Sequence, residues 1–324
     1  MMNMFLKILH VIKLMFKNPN VVLLFCWNKI APLVSDKLFL HVLFRLRMGY
    51  WMNFDNPQTF SEKLQWLKLN NKKAEYSRMV DKIEAKEYVK NIIGEDYIVP
   101  TISVYNSVEE IDWDALPNQF VIKCSHDSGG VVICKDKSKL NVHNAKNKLL
   151  KGLNKSYFYQ NREWPYKNVS KRLIVEKFII PSDKVDDHNY DLTDYKFFCF
   201  NGKPMYCQVI RDRHTKETID FYDMYWNHQE FVGLNPVARN GLNPVARNGL
   251  NPVARPKHLD KMIEICEKLS KGLPFLRVDL YVVDDKEYFG ELTFYPASGL
   301  GVFTPNEWNR KLGDLITLPI NHKN

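Results

Sequence analysis

The chain has 324 residues, of which 45% are hydrophobic, 26% charged and 13% aromatic, with 14 glycines and 16 prolines. That length supplies core for one large domain or two, and the composition excludes a disordered, collagen-like or coiled-coil chain. Lysine and arginine exceed aspartate and glutamate by 46 to 37, a net charge of +9 that would suit a nucleic-acid binder if it covered one face of the body.

The charge is not distributed that way. Residues 1–53 hold seven basic residues against one acid, Asp36, so six of the nine excess charges lie there. Six cysteines (Cys26, Cys124, Cys134, Cys199, Cys207, Cys266) are scattered without a Cys-x-x-Cys pair. They read as reduced thiols of a cytoplasmic protein and offer no zinc spacing.

In chain order, Lys7, His10, Lys13 and Lys17 fall at helical spacing in an otherwise apolar run, and Asn18-Pro19-Asn20 closes it. A membrane-spanning helix needs about 20 largely apolar residues, and lysines interrupt this run too often. No small-x-small site follows, as a cleaved signal would require. The pattern predicts a basic amphipathic helix at the inner face of an anionic membrane; packing against the protein's own core is the alternative. Residues 1–53 are thus expected to form a helical extension, and 54–324 a catalytic region.

From Asn56 the chain reads as mixed α+β. Ser/Thr ahead of Glu62 predicts a helix start, and helical periodicity runs through Trp66-Leu67 and from Met79 to Ile93, ended by Gly94. Strand-like runs follow at Tyr97–Val99, Phe120–Lys123, Val131–Cys134, Leu173–Ile180, Tyr195–Phe200 and Met205–Ile210. Residues 257–270 predict an amphipathic helix. Arg277–Val283 and Tyr288–Phe294 predict two strands joined at Asp284-Asp285-Lys286. Directly before that helix lie three copies of an octapeptide, GLNPVARN twice and then GLNPVARP, at 233–256. The unit is too short for a solenoid and reads as an expanded loop; its alternative is a flap carrying Arg239, Arg247 and Arg255.

Three places carry chemistry. On strands, alternate residues share a face, so Arg277 with Asp279, and Glu291 with Thr293, would make an oxygen-rich site suited to Mg²⁺ with an arginine for an anion. Lys123 ends a strand ahead of Ser128-Gly129-Gly130, whose backbone N–H groups could cradle phosphate. Glu176 interrupts an apolar strand, with Asp194-Tyr-Lys196 eighteen residues on. Arg211 and Arg213 alternate at a strand end and suit a carboxylate or uronic acid; a solvated salt bridge is the plain alternative.

In order, these pieces resemble the ATP-grasp fold, two α+β lobes clasping ATP. They are more closely similar to its TupA-like branch, associated with cell-surface polysaccharide genes and often labelled glycosyltransferase. The carrying stretches are Asn56–Lys68, Asp194–Pro204, Arg277–Tyr281 and Gly290–Pro296. The resemblance implies that Lys82, Lys123, Ser128, Gly129 and Gly130 meet phosphates. It places Glu176, Lys177 and Phe178 against adenine, and Asp194 on the ribose with Lys196 beside it. Asp279, Glu291 and Thr293 would hold Mg²⁺; Thr293 stands where relatives usually carry asparagine. Arg277 would stabilise the reacting acyl group, while Ser298 joins Arg211 and Arg213 as substrate contacts.

The activity implied is carboxylate–amine ligation through an acyl phosphate, with polysaccharide precursor and amino acid as substrates and no nucleic-acid partner. A glycosyltransferase is the alternative, and would call for an Asp-x-Asp metal pair; Arg211-Asp212-Arg213 and Asp186-Asp187-His188 do not supply one. A non-catalytic scaffold retaining the fold is a further one.

Overall fold

The computed structural model describes residues 19–127, 129–184, 190–212, 217–236 and 252–319. The basic stretch at 1–17 and most of the octapeptide expansion lie outside these residues. Two antiparallel sheets face each other across a cleft.

The smaller sheet contains β1 (Thr101–Tyr105), β2 (Phe120–Cys124), β3 (Val131–Cys134) and β4 (Leu173–Lys177), in the order β1-β4-β2-β3. Alternation divides its side chains. Phe120, Ile122, Cys124, Val132, Cys134, Leu173 and Val175 pack with Ala145 and Leu149 of a helix at Val142–Leu153. The opposite parity sends Val121, Lys123, Val131, Ile133 and Glu176 into the cleft.

The larger sheet contains β5 (Asp194–Phe200), β6 (Lys203–Arg211), β7 (Thr218–Asp223), β8 (His228–Gln229), β10 (Phe275–Val283) and β11 (Lys286–Thr293), in the order β11-β10-β5-β6-β7-β8. A two-stranded ribbon pairs β9 (Val232–Pro236) with β12 (Gly301–Thr304). The main core joins these strands to helices at Phe60–Asn70, Glu84–Ile93 and Leu259–Ser270.

Local signals explain the helix positions. Thr59 and Glu62 form a reciprocal capping box at the start of Phe60–Asn70. The single periodic stretch expected at Met79–Ile93 is two helices, Glu75–Val80 and Glu84–Ile93, broken at Asp81-Lys82. Asp81 accepts from Ile83 N at 2.9 Å and pairs with Arg172 at 2.9 Å, which fixes the break. The strand expected at Tyr97–Val99 is instead a short 3₁₀ turn at Glu95–Tyr97, with β1 beginning at Thr101.

The C-terminal helix, Glu307–Asp314, crosses Phe60–Asn70. Buried Asn309 accepts from Ser61 N and Oγ at 3.0 and 3.1 Å. A Cβ on Gly313 would stand 2.4 Å from Gln58 O and 2.6 Å from Phe60 N, so this crossing requires glycine. Near the N-terminus, helices α1 (Pro19–Lys29) and α2 (Asp36–Met48) form a small separate core around Phe39, Leu40, Leu43 and Phe44 that takes Leu300 from the body. No described helix is long and apolar enough to cross a membrane.

Candidate active site

The cleft holds about 650 Å³ and is lined from both sheets. Its centre is the β10–β11 hairpin, whose register sets Arg277 opposite Thr293 and Asp279 opposite Glu291. The two carboxylates are therefore direct cross-strand neighbours, and the threonine hydroxyl expected with them stands opposite Arg277, one pair further along. Arg277 grips Asp279 with two hydrogen bonds, from Nε at 2.6 Å and Nη2 at 2.7 Å, and donates from Nη2 to Thr293 Oγ1 at 3.0 Å. Lys196 Nζ also donates to Asp279 and lies 3.6 Å from Asp194. Burial would raise the Asp279 carboxyl, but Arg277 and Lys196 outweigh it and hold it below the usual range. Burial opposes the Arg277 cation too, and Asp279 reverses that, raising its pKa.

Glu291 differs from Asp279. It lines the cleft and has no hydrogen-bond or ion-pair partner among the described residues. Together, Asp279, Glu291 and Thr293 offer only oxygen donors, the chemistry of a hard divalent ion. Among the described residues no three His, Cys, Asp or Glu side chains form a metal cluster. A Mg²⁺ ion here would draw its remaining ligands from phosphate oxygens and water, as is usual for that ion.

The opposite wall supplies cations. Glu176 accepts from Lys86 and Lys123, each at 2.5 Å. Burial alone would raise Glu176; the two lysines bring it below the usual carboxylate range. Glu176 thus braces the two lysines from within the cleft lining. Lys82, in the break between helices, donates to Asp127 O at 2.8 Å and so ties that break to the glycine loop. Within the loop, Gly129 N donates to Asp127 Oδ1 at 3.1 Å. Gly130 packs on Cys124, where a Cβ would come within 2.5 Å of Sγ. Ser128 lies outside the described residues.

At the end of β4, Lys177 and the following Phe178, Ile179 and Ile180 line the cleft with Tyr190 and Leu192, making this end of it largely apolar. Lys86 and Lys135, which the sequence reading omitted, also line it. Lys86 was discoverable, because it follows Lys82 by four residues within the helical periodicity that the sequence shows from Met79 to Ile93.

Two expected substrate contacts are placed elsewhere. Arg211 is not on the face of Lys196. A bulge in the β5–β6 hairpin between Phe198 and Cys199 makes Gln208, not Cys207, the partner of Lys196. That one-residue shift turns Arg211 to the opposite face. There it lies 3.6 Å from buried Asp220, which also meets His228 Nε2 at 3.0 Å. Arg213 lies outside the described residues.

Ser298 belongs to a buried network and does not present a free hydroxyl. Its Oγ donates to Glu163 at 2.6 Å and accepts from Asn161 at 2.9 Å, while Lys68 Nζ donates to its carbonyl at 2.8 Å. Ala297 (φ 46°) and Ser298 (φ 57°) both occupy the left-handed region, a strained pair that this network holds in place. Burial lowers Lys68 to about 8 and raises Glu163, each partly offset by the other. Between Asn161 and Glu163, Arg162 turns the opposite way. It pairs with Asp36 at 2.8 Å, donates to Val34 O at 3.2 Å and stacks over Phe39.

An Asp-x-Asp sequence does occur, at Asp112-Trp113-Asp114. It forms a local turn, with Asp112 Oδ1 accepting from Asp114 N and Ala115 N, and it does not line the cleft.

Among solved structures, the chain resembles D-alanine–D-alanine ligase from Bacillus anthracis complexed with ATP. The identity is 16% and the TM-score 0.37, over 74% of this chain and 68% of that one. It also resembles the D-Ala-D-Ala ligase of Helicobacter pylori (13%, TM-score 0.41, 79% and 69%). A third is phosphoribosylamine–glycine ligase of Thermotoga maritima (16%, TM-score 0.35, 68% and 48%). None of the curated proteins compared with the chain matches it. The family model for TupA-like ATPgrasp matches residues 62–317, which span both sheets and every cleft residue named above, and the chain belongs to that family.

Proposed function

We propose that the protein is an ATP- and Mg²⁺-dependent carboxylate–amine ligase acting on a cell-surface polysaccharide or its precursor. The observation that carries this reading is the hairpin register, which sets Asp279 against Glu291 and Arg277 against Thr293 in the cleft that Lys86 and Lys123 face. A substrate carboxylate oxygen attacks the γ-phosphorus of ATP and the bond to ADP breaks, giving an acyl phosphate. An amine then attacks the acyl carbon, phosphate leaves, and the amine proton passes to solvent.

Such chemistry needs positioning and charge neutralisation more than covalent help. Lys82, Lys123 and the Gly129-Gly130 backbone would bind phosphates, and Lys177 with Phe178 would flank the base. Arg277 would meet the charge developing on the acyl oxygen. Mg²⁺ held by Asp279, Glu291 and Thr293 would neutralise phosphate charge.

The test is ADP release in a coupled assay with ATP, Mg²⁺, amino acids and uronic-acid glycans. Release should require both a carboxylate and an amine, and Glu291→Gln should lower it by about a hundredfold or more. Turnover of a nucleotide sugar without ADP release would favour the glycosyltransferase reading. Full turnover by Glu291→Gln would remove the site assignment.

A further inference from the structure

We propose that α2 and the segment after it form a docking surface for an anionic lipid bilayer, separate from the basic stretch at 1–17. At about 100° per residue, Lys37, Leu38, His41 and Arg45 fall in one arc of α2. The opposite arc carries the buried Phe39, Leu40, Leu43 and Phe44. The chain then folds back and lays aromatic rings over that outer arc. Trp51 stacks on His41 with ring centroids 4.7 Å apart. Arg45 lies 5.9 Å from the Trp51 ring centre, and Lys37 lies 5.4 Å from that of Phe54. Leu38 and Trp51 of this stripe are exposed, Trp51 by 57%, and so are Leu23, Ile30, Leu33 and Tyr50 of the adjoining N-terminal segments, Leu33 by 87%.

Lys37 and Arg45 have no carboxylate partner among the described residues. Asp36, the one acid among residues 1–53, turns toward Arg162 and Lys72. Arg45 donates to the Gly49 carbonyl, not to a carboxylate.

Cations, an indole and protruding aliphatic side chains together match the lipid–water interface, where phosphate meets acyl chain. Nucleic acid would use the cations and stack on Trp51, but it would leave Leu33, Leu38 and Ile30 in water. A second copy is disfavoured by charge, because an isologous contact would set Lys37 and Arg45 against the same residues of the partner. Residues 1–18 add Lys7, Lys13 and Lys17, so covering the patch with them would again oppose cations.

The test is vesicle co-sedimentation of the full chain on phosphatidylcholine alone and with 30% phosphatidylglycerol. Binding should require phosphatidylglycerol and weaken with salt. Each cation near such a surface contributes about 1 kcal/mol, so Lys37→Glu with Arg45→Glu should weaken binding about thirtyfold or more. Leu33→Ser, at an exposed position that leaves the fold intact, should weaken it severalfold at high salt. Thermal melting of each variant at the wild-type midpoint confirms that the fold is retained.

Equal binding by wild type and both variants overturns the proposal, as does equal binding to the two vesicle types. Loss of binding only in a Lys7→Glu/Lys13→Glu/Lys17→Glu chain would assign the contact to residues 1–17 and likewise overturn it. So would a dimer, or an RNA or protein complex, that these variants disrupt while vesicles show no binding.

Discussion

Replacing Glu176 by Gln would leave the ammonium groups of Lys86 and Lys123 close together with no charge between them. In the wild type each lies 2.5 Å from a Glu176 oxygen, and only 7% of the Glu176 side chain is exposed. Removing one member of a buried ion pair costs about 3–5 kcal/mol. Lys123 keeps 29% of its side chain in water and Lys86 12%, so screening absorbs part of the loss and about 3 kcal/mol is expected. In differential scanning calorimetry at pH 7 that should appear as a midpoint lower by about 4–5 °C.

The pH dependence gives a second check. Glu176 is held below its ordinary value, so its contribution is fully present above the unfolded pKa of about 4.3. It fades as pH falls through the lower folded value. The gap between wild type and Glu176→Gln should therefore close in strong acid. A variant as stable as wild type at pH 7, or a gap unchanged at pH 3, would refute the bracing role.

Glu291→Gln and Asp279→Asn should separate activity from stability. Both should abolish ADP release, but Glu291 has no partner to lose and its unfolding free energy should stay within about 0.5 kcal/mol of wild type. Asp279→Asn strands Arg277 and Lys196 and should cost about 3 kcal/mol by urea titration. Gly313→Ala would drive a methyl into the backbone at Gln58 and Phe60; a loss of about 2–3 kcal/mol is expected, measured the same way. Lys68, lowered to about 8 when folded, binds fewer protons there than in the unfolded chain between about pH 8 and 10.4. Across that window wild type should gain stability relative to Lys68→Met as pH rises; urea titrations at pH 7.5 and 9.5 give the sign.

The β10–β11 site was legible in part. A one-residue irregularity between Asp279 and Leu280, opposite Gly290, sets which faces of the two strands meet and carries no signal in the alternation. Alternation along each strand, by contrast, puts Arg277 with Asp279 and Glu291 with Thr293. Lys123 and the glycine loop were legible for the same reason. Arg211 was misplaced because a single extra residue in the β5–β6 hairpin inverts every side chain beyond it, and the local mark beside it, Pro204, does not by itself give the shifted register. An unbulged hairpin would have paired Lys196 with Cys207 and brought Arg211 to the same face. The Lys68–Glu163–Ser298 network was out of reach for a different reason. Its members come from three segments joined only by tertiary packing, and Gln65 and Lys68 look like ordinary surface residues of an amphipathic helix.

The tripeptide Asn161-Arg162-Glu163 has a practical consequence for shortening the protein. Arg162 is held by the segment from Ala31 to Phe39, while its two neighbours hold the strained turn that follows the Glu291 strand. A chain trimmed to begin near residue 54 would keep every cleft residue. It would also strip the cover from a buried guanidinium and slacken the span that keeps Ser298 in place. Low turnover in such a fragment would reflect lost stiffness and not a missing catalytic group, and the N-terminal helices should be retained in any preparation meant to measure the enzyme.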